Sequence, residues 1–132
     1  MRLILGLIAG LLVGGATVAL VETAGHMIFP PPPGVDLTDP AQLRTLMDRV
    51  PIGALVAVLI AWAAGVFAGG YAAARIARRG PWPAWAIGAA LFGGAAWSMM
   101  MIPHPPWMIA GAVVVTIGFA WLAGRLGARR AA

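Results

Sequence analysis

The sequence predicts an all-α protein: a four-helix transmembrane bundle with both termini cytoplasmic, plus one outer loop carrying a short amphipathic helix. Three observations predict it. First, 61% of the 132 residues are apolar and 10% are charged, whereas a water-soluble domain carries roughly 25% charged residues. Second, four uncharged stretches each approach the roughly 20 residues that a helix needs to cross a hydrocarbon core. Third, arginine, the only source of positive charge, collects in alternate connections. The same composition excludes a disordered chain, which would be poor in apolar residues. With no cysteine, a disulfide framework, a thiolate metal site and a cysteine nucleophile are excluded as well.

The spans fall at 3–21, 50–74, 85–102 and 106–124, with the outer loop at 22–49, and the chain reads as a single membrane domain. The first stretch competes with a cleaved signal peptide, but it stays apolar to Val21 and has no A-x-A site, so it reads as a membrane helix. The last two spans are separated by Pro103-His104-Pro105-Pro106, which no helix interior accommodates. Seven arginines, Arg2, Arg75, Arg78, Arg79, Arg125, Arg129 and Arg130, lie in segments without an acid. The opposite connections hold all the acids or no charge, so positive-inside counting places both termini in the cytoplasm. A bacterial cytoplasmic membrane suits this pattern. Trp82, Trp85, Tyr71 and Trp121 gather near the arginine end, and Trp97, Trp107 and Phe29 near the other, as interfacial belts do. Trp62, in mid-span, reads as a packing or lipid-facing ring.

In the outer loop, Pro30–Pro33 predicts a stiff extended segment. Asp39-Pro40 predicts an N-cap followed by proline in the first turn. Leu43, Leu46, Met47 and Val50 then recur at helical spacing, giving a short amphipathic surface helix.

Small residues set the helix faces. Gly6, Gly10 and Gly14 form a doubled G-x-x-x-G; Gly53, Ala57, Ala61, Gly65, Gly69 and Ala73 repeat every fourth position in the second span; Gly93 belongs to a similar row in the third. In lipid, helices associate by close backbone approach, which such rows permit. They serve packing within the monomer, a homo-oligomer or a larger membrane complex. The inner parts of the spans lack ionisable groups; Thr17, Ser98 and Thr116 are their polar side chains, each able to bond its own helix backbone.

The candidate polar chemistry lies at the outer face. Glu22 and His26 share a helix face if the first helix continues one turn, and His104 is on the same side of the membrane. Two imidazoles and a carboxylate are a donor set for a metal, with Met27 and Met99–Met101 as soft additions, or for a pH-sensing pair. Beyond that metal, no cofactor is called for. Phosphate-loop and Ser–His–acid arrangements are missing, and the positive charge is explained by topology, so neither an enzyme nor a nucleic-acid partner is expected.

Glu22-x3-His26, the proline-rich loop with Asp36 and Asp39, and Met101-Ile102-Pro103-His104-Pro105 together resemble short four-helix integral membrane proteins of bacteria, a likeness that brings no activity with it. Size and span number are shared with the small multidrug resistance transporters, which carry a mid-membrane Glu in helix 1; here that depth holds Gly10–Val13, and the likeness stops there. The sequence favours a non-enzymatic accessory or scaffold protein that packs through its small-residue faces. A second reading is a conduit or carrier for a small neutral solute, gated at the outer face. A third is a metal-binding membrane protein using Glu22, His26 and His104.

Overall fold

A computed structural model describes residues 1–36 and 38–131. These form five helices: α1 Arg2–Ile28, α2 Pro40–Met47, α3 Ile52–Ala77, α4 Trp82–Met101 and α5 Pro106–Ala131. Four of them, α1, α3, α4 and α5, are long and apolar enough to cross a membrane. The protein is a membrane-spanning helical bundle.

The helices run past the uncharged stretches, and their ends have local causes. α1 continues through Glu22 and His26 because nothing breaks it until Pro30, which turns Phe29 to φ −121°, ψ 73°. α3 starts after Pro51, held extended at φ −60°, ψ 144°, and stops where Arg78 takes a left-handed φ of 52°. Pro83 opens α4 from its first turn. α5 reaches Ala131 because the Leu, Ala and Arg residues beyond Gly124 are good helix formers. The connection facing away from the termini therefore shrinks to 29–51. Within it, the Asp39 carboxylate caps α2 by accepting from the Ala41 N–H at 2.9 Å, with Pro40 in the first turn.

α3 is the hub. It packs along α1, α5 and α4, while α4 also touches α5 and, over a shorter stretch, α1. The α1–α3 seam is built from glycine against backbone. A methyl group added at Gly6, Gly10 or Gly69 would come within 2.8 Å of Ala77 N, 2.8 Å of Gly69 O and 2.5 Å of Gly10 O, respectively. Gly65 lies under Val18, Ala57 meets Gly25, and Gly53 lies beneath the Phe29 ring, 2.7 Å from where its Cβ would be. Ala61 and Ala73 are fully buried. Almost every small residue expected to pack does so.

Gly93 is the exception. Nothing lies within 4 Å of it, nor of its neighbour Gly94, and Ala89 and Ala90 on the same helix are exposed. α4 meets the bundle instead through Pro83, Ala84, Ile87, Gly88 and Ala95. Two rows of small residues run along this helix; the period is the same for both, and the larger buried side chains decide which faces inward. On the α3–α5 side, Ala74, Ala84 and Ala123 form a tight core. Phe67 and Tyr71 lie over it, stacked at 6.3 Å. Tyr71 therefore packs on the bundle and is half-buried. Arg125 stands over the exposed Trp121 ring at 4.7 Å, a cation–π contact at the terminal end.

Candidate functional site: a lateral cleft beside Glu22

α1 and α4 meet near the end that carries the termini, where Gly10 faces Ile87 and Gly14 faces Leu91. Beyond those contacts they part, because Gly15 on one side and Gly94 on the other have no neighbours. The gap is a cleft of about 360 Å³ open to the side. Its walls are Gly15, Val18, Ala19 and Glu22 of α1 and Ala90, Leu91, Phe92, Gly94, Ala95 and Ser98 of α4; Trp62 and Val66 of α3 and Thr116 of α5 form the floor.

Glu22 sits deeper than the hydropathy pattern implied. It is six residues short of the end of α1, about 9 Å at helical rise. Along the α1–α3 seam it falls between the Gly25–Ala57 and Val18–Gly65 contacts, well inside α3. Along the helix axis its Cα is about 10 Å from the midpoint of α1. A carboxylate on an apolar wall is satisfied by a polar partner or by water.

Two hydroxyls line the same space. Thr17 and Thr23 donate to the carbonyls of Val13 and Ala19, both at 2.7 Å, as helix-interior threonines do. The hydroxyls of Ser98 and Thr116 make no such bond, and neither hydroxyl has a hydrogen-bond partner among the described residues. The Thr116 methyl packs towards Gly88, which leaves its hydroxyl free to turn elsewhere. The cleft is thus apolar along its length, with a carboxylate and two unengaged hydroxyls at separate points.

The two histidines are not part of it. His26 is exposed, one turn beyond Glu22, with no hydrogen bond between the two among the described residues. His104 is half-buried in the α4–α5 turn; its Nδ1 is 2.6 Å from the Ile102 carbonyl, which fixes that nitrogen as the donor. Its ring is 6.4 Å from that of Trp62, tilted by 44°. Trp62, expected to face lipid or fill packing, is a partition with the cleft on one side and His104 on the other. Among the described residues, no three His, Asp or Glu side chains lie close enough to hold a metal. Glu22, His26 and His104 are not brought together as one ligand set.

Seven of the nine arginines lie at the terminal end of the bundle; Arg44 and Arg49 belong to the outer connection. Arg75 is tied down, donating through Nη1 to the Arg130 carbonyl at 2.7 Å and so joining the ends of α3 and α5. Arg2, Arg75 and Arg78 line a second cleft there, of about 320 Å³. No protein-family model, curated protein or solved structure matches this chain, so the chemistry of its own clefts and surfaces carries the functional reading.

Proposed function

We propose that the protein is a carrier for a small membrane-dissolved molecule, which it takes up sideways from the bilayer into the cleft between α1 and α4. The observation that carries this reading is Glu22, a carboxylate on the wall of an otherwise apolar cleft between two helices long and apolar enough to cross a membrane. A ligand with an apolar body and a hydrogen-bond-donating head, a hydroxyl or an amine, satisfies that wall. Its body lies along Val18, Leu91 and Phe92 and its head meets Glu22 or the Ser98 hydroxyl. Ligand sites of this kind are mostly apolar with a few placed polar groups. The arginine end faces the cytoplasm of a bacterial cell in this reading, so the cleft opens in the outer half of the cytoplasmic membrane.

The test is equilibrium binding of a medium-chain alkyl alcohol and the matching amine to protein in lipid nanodiscs, followed by tryptophan fluorescence. The response disappears in Trp62→Phe, and Glu22→Gln weakens amine binding at least tenfold. Binding unchanged in both Glu22→Gln and Gly94→Leu, which fills the cleft mouth, overturns the proposal. Flux across liposomes then separates a carrier from a site that only binds.

One observation favours a second reading, self-association or docking to a larger complex. Ala89, Ala90 and Gly93 present a small-residue face on α4 that nothing in the bundle covers, the kind of face on which membrane helices pair. Gly93 does not border the cleft. Gly93→Leu therefore removes an oligomer seen by native mass measurement and leaves ligand binding intact. A wild-type protein that is monomeric in lipid disposes of this second reading.

A further inference from the structure

The structure assigns a second binding site, independent of the lateral cleft: a phosphate-binding cleft at the terminal end of the bundle, formed by Arg2, Arg75 and Arg78. Three helix ends meet there, the start of α1 and the last turns of α3 and α5, and enclose about 320 Å³. Arg2, Arg75 and Arg78 line this space together with Ile76 and Ala131. The chain's acidic side chains, Glu22, Asp36, Asp39 and Asp48, all lie towards the other end, so none can neutralise them.

Positive charge that serves only to orient the chain needs to be present, not gathered. Here two features gather it. Arg75 is held by its 2.7 Å bond to the Arg130 carbonyl, which uses one of its five N–H donors and leaves the rest of the fork presented in a fixed place. Arg78 occupies the left-handed region at φ 52°, although Gly80 stands two residues away and takes φ 78°. A bulky residue kept in that conformation beside a glycine is a strained choice, and strain of this kind collects at ligand sites. The left-handed turn is what brings Arg78 to the cleft while Arg79, next in sequence, does not border it.

Guanidinium forks match phosphate oxygens in pairs. The cleft lies at the end of the spanning helices, at headgroup level, and Ile76 offers its aliphatic surface beside the charge. Basic pockets between membrane helices on this side suit anionic headgroups. The ligand is therefore a phosphodiester of an anionic lipid drawn from the leaflet at the arginine end. Free phosphate shares the chemistry but leaves the apolar side of the cleft unused.

The experiment uses the full chain in nanodiscs or mild detergent. Native mass spectrometry measures retention of phosphatidylglycerol and cardiolipin against phosphatidylcholine of equal chain length. The wild type retains the anionic lipid at least tenfold better. R2Q/R75Q/R78Q loses that preference, while R125Q/R129Q, with the same charge class removed away from the cleft, loses less than twofold. R2K/R75K/R78K keeps the charge, and with it membrane orientation, but gives up the fork geometry; it falls several-fold. Addition of millimolar inorganic phosphate leaves the lipid bound. Equal loss in the R125Q/R129Q variant, or an undiminished preference in the lysine variant, overturns the proposal by reducing the effect to general charge. Displacement of the lipid by free phosphate overturns the lipid as the occupant.

Discussion

A single methyl group at Gly69 tests whether the α1–α3 seam rests on backbone contact. In Gly69→Ala the new Cβ meets Gly10 O at 2.5 Å, Gly14 Cα at 2.9 Å and Gly14 N at 3.1 Å. All three are backbone atoms, which cannot rotate away as a side chain could. Ordinary contact begins near 3.4 Å, so α1 must retreat by about 0.9 Å along this line. That retreat is shared by Gly6 and Gly10, which face α3 at the same close range, and a gap of 0.5–1 Å forfeits roughly a quarter to a half of each dispersion contact. Overpacking of this sort costs about 1–3 kcal/mol. Gly15→Ala is the matched control, since nothing lies within 4 Å of Gly15 and α1 is helical there too. The gain in helix propensity is common to both variants and cancels in their difference. Reversible unfolding in mixed detergent and SDS, followed by circular dichroism, should place Gly69→Ala about 1–3 kcal/mol below Gly15→Ala. Equal stability of the two would refute the claim that close backbone approach holds α1 in place.

Other outcomes follow from the outer connection and the overall orientation. Asp39→Ala removes the cap that accepts from Ala41 N–H and the 3.1 Å bond from Gln42 Nε2; α2 should lose about 1 kcal/mol of local stability, read as faster amide exchange over residues 41–47 with the spanning helices unchanged. The Thr38 hydroxyl and N–H both donate to the Asp36 carboxylate, at 2.6 and 2.9 Å, and hold its pKa below the usual 3.8. A carboxyl lowered on folding gives full support above the unfolded value and loses it as pH falls through the folded one. Protection of the Thr38 amide, its exchange rate relative to the intrinsic rate at each pH, should therefore be constant above about pH 4 and fall only below 3.8; a loss of protection near neutrality would contradict the assignment. Because the chain has no cysteine, single-cysteine variants Thr38→Cys and Arg79→Cys can be labelled in intact cells, and only the first should react with an impermeant maleimide.

Most of the architecture can be read from the residues because lipid imposes few solutions. A helix must supply its own backbone hydrogen bonds, and Gly6-x3-Gly10-x3-Gly14 facing Gly65-x3-Gly69-x3-Ala73 leaves little choice of partner face. What the sequence hides is direction and depth. Hydropathy marks 3–21 as apolar but does not say that the helix persists to Ile28, so Glu22 looks terminal until Pro30 is recognised as the first true break of α1. On α4 the row containing Gly93 and the row containing Gly88 have similar spacing, and the larger Ile87 beside Gly88 sends the first outward. The separation of His26, His104 and Glu22 depends on where the Pro103–Pro105 turn sets the His104 ring against Trp62, a tertiary fact with no local signal. The packing of Tyr71 is hidden for a related reason: an aromatic near a helix end fits both a belt and a core, and only its contacts with Phe67 and the alanine core show that it packs inward.

The dependence of α1 on α3 also bears on how the protein is made. A ribosome delivers α1 to the membrane first, and the surface that will receive it is not synthesised until the proline-rich connection and α2 have passed. In that interval its row of glycines is bare, with carbonyls close to the surface and no side chains to shield them. A nascent helix of this kind is open to capture by any neighbour with a similar stripe, including the same helix of a second nascent chain. Rapid arrival of α3 is then the protection, and a pause in translation along the outer connection is the circumstance most damaging to yield.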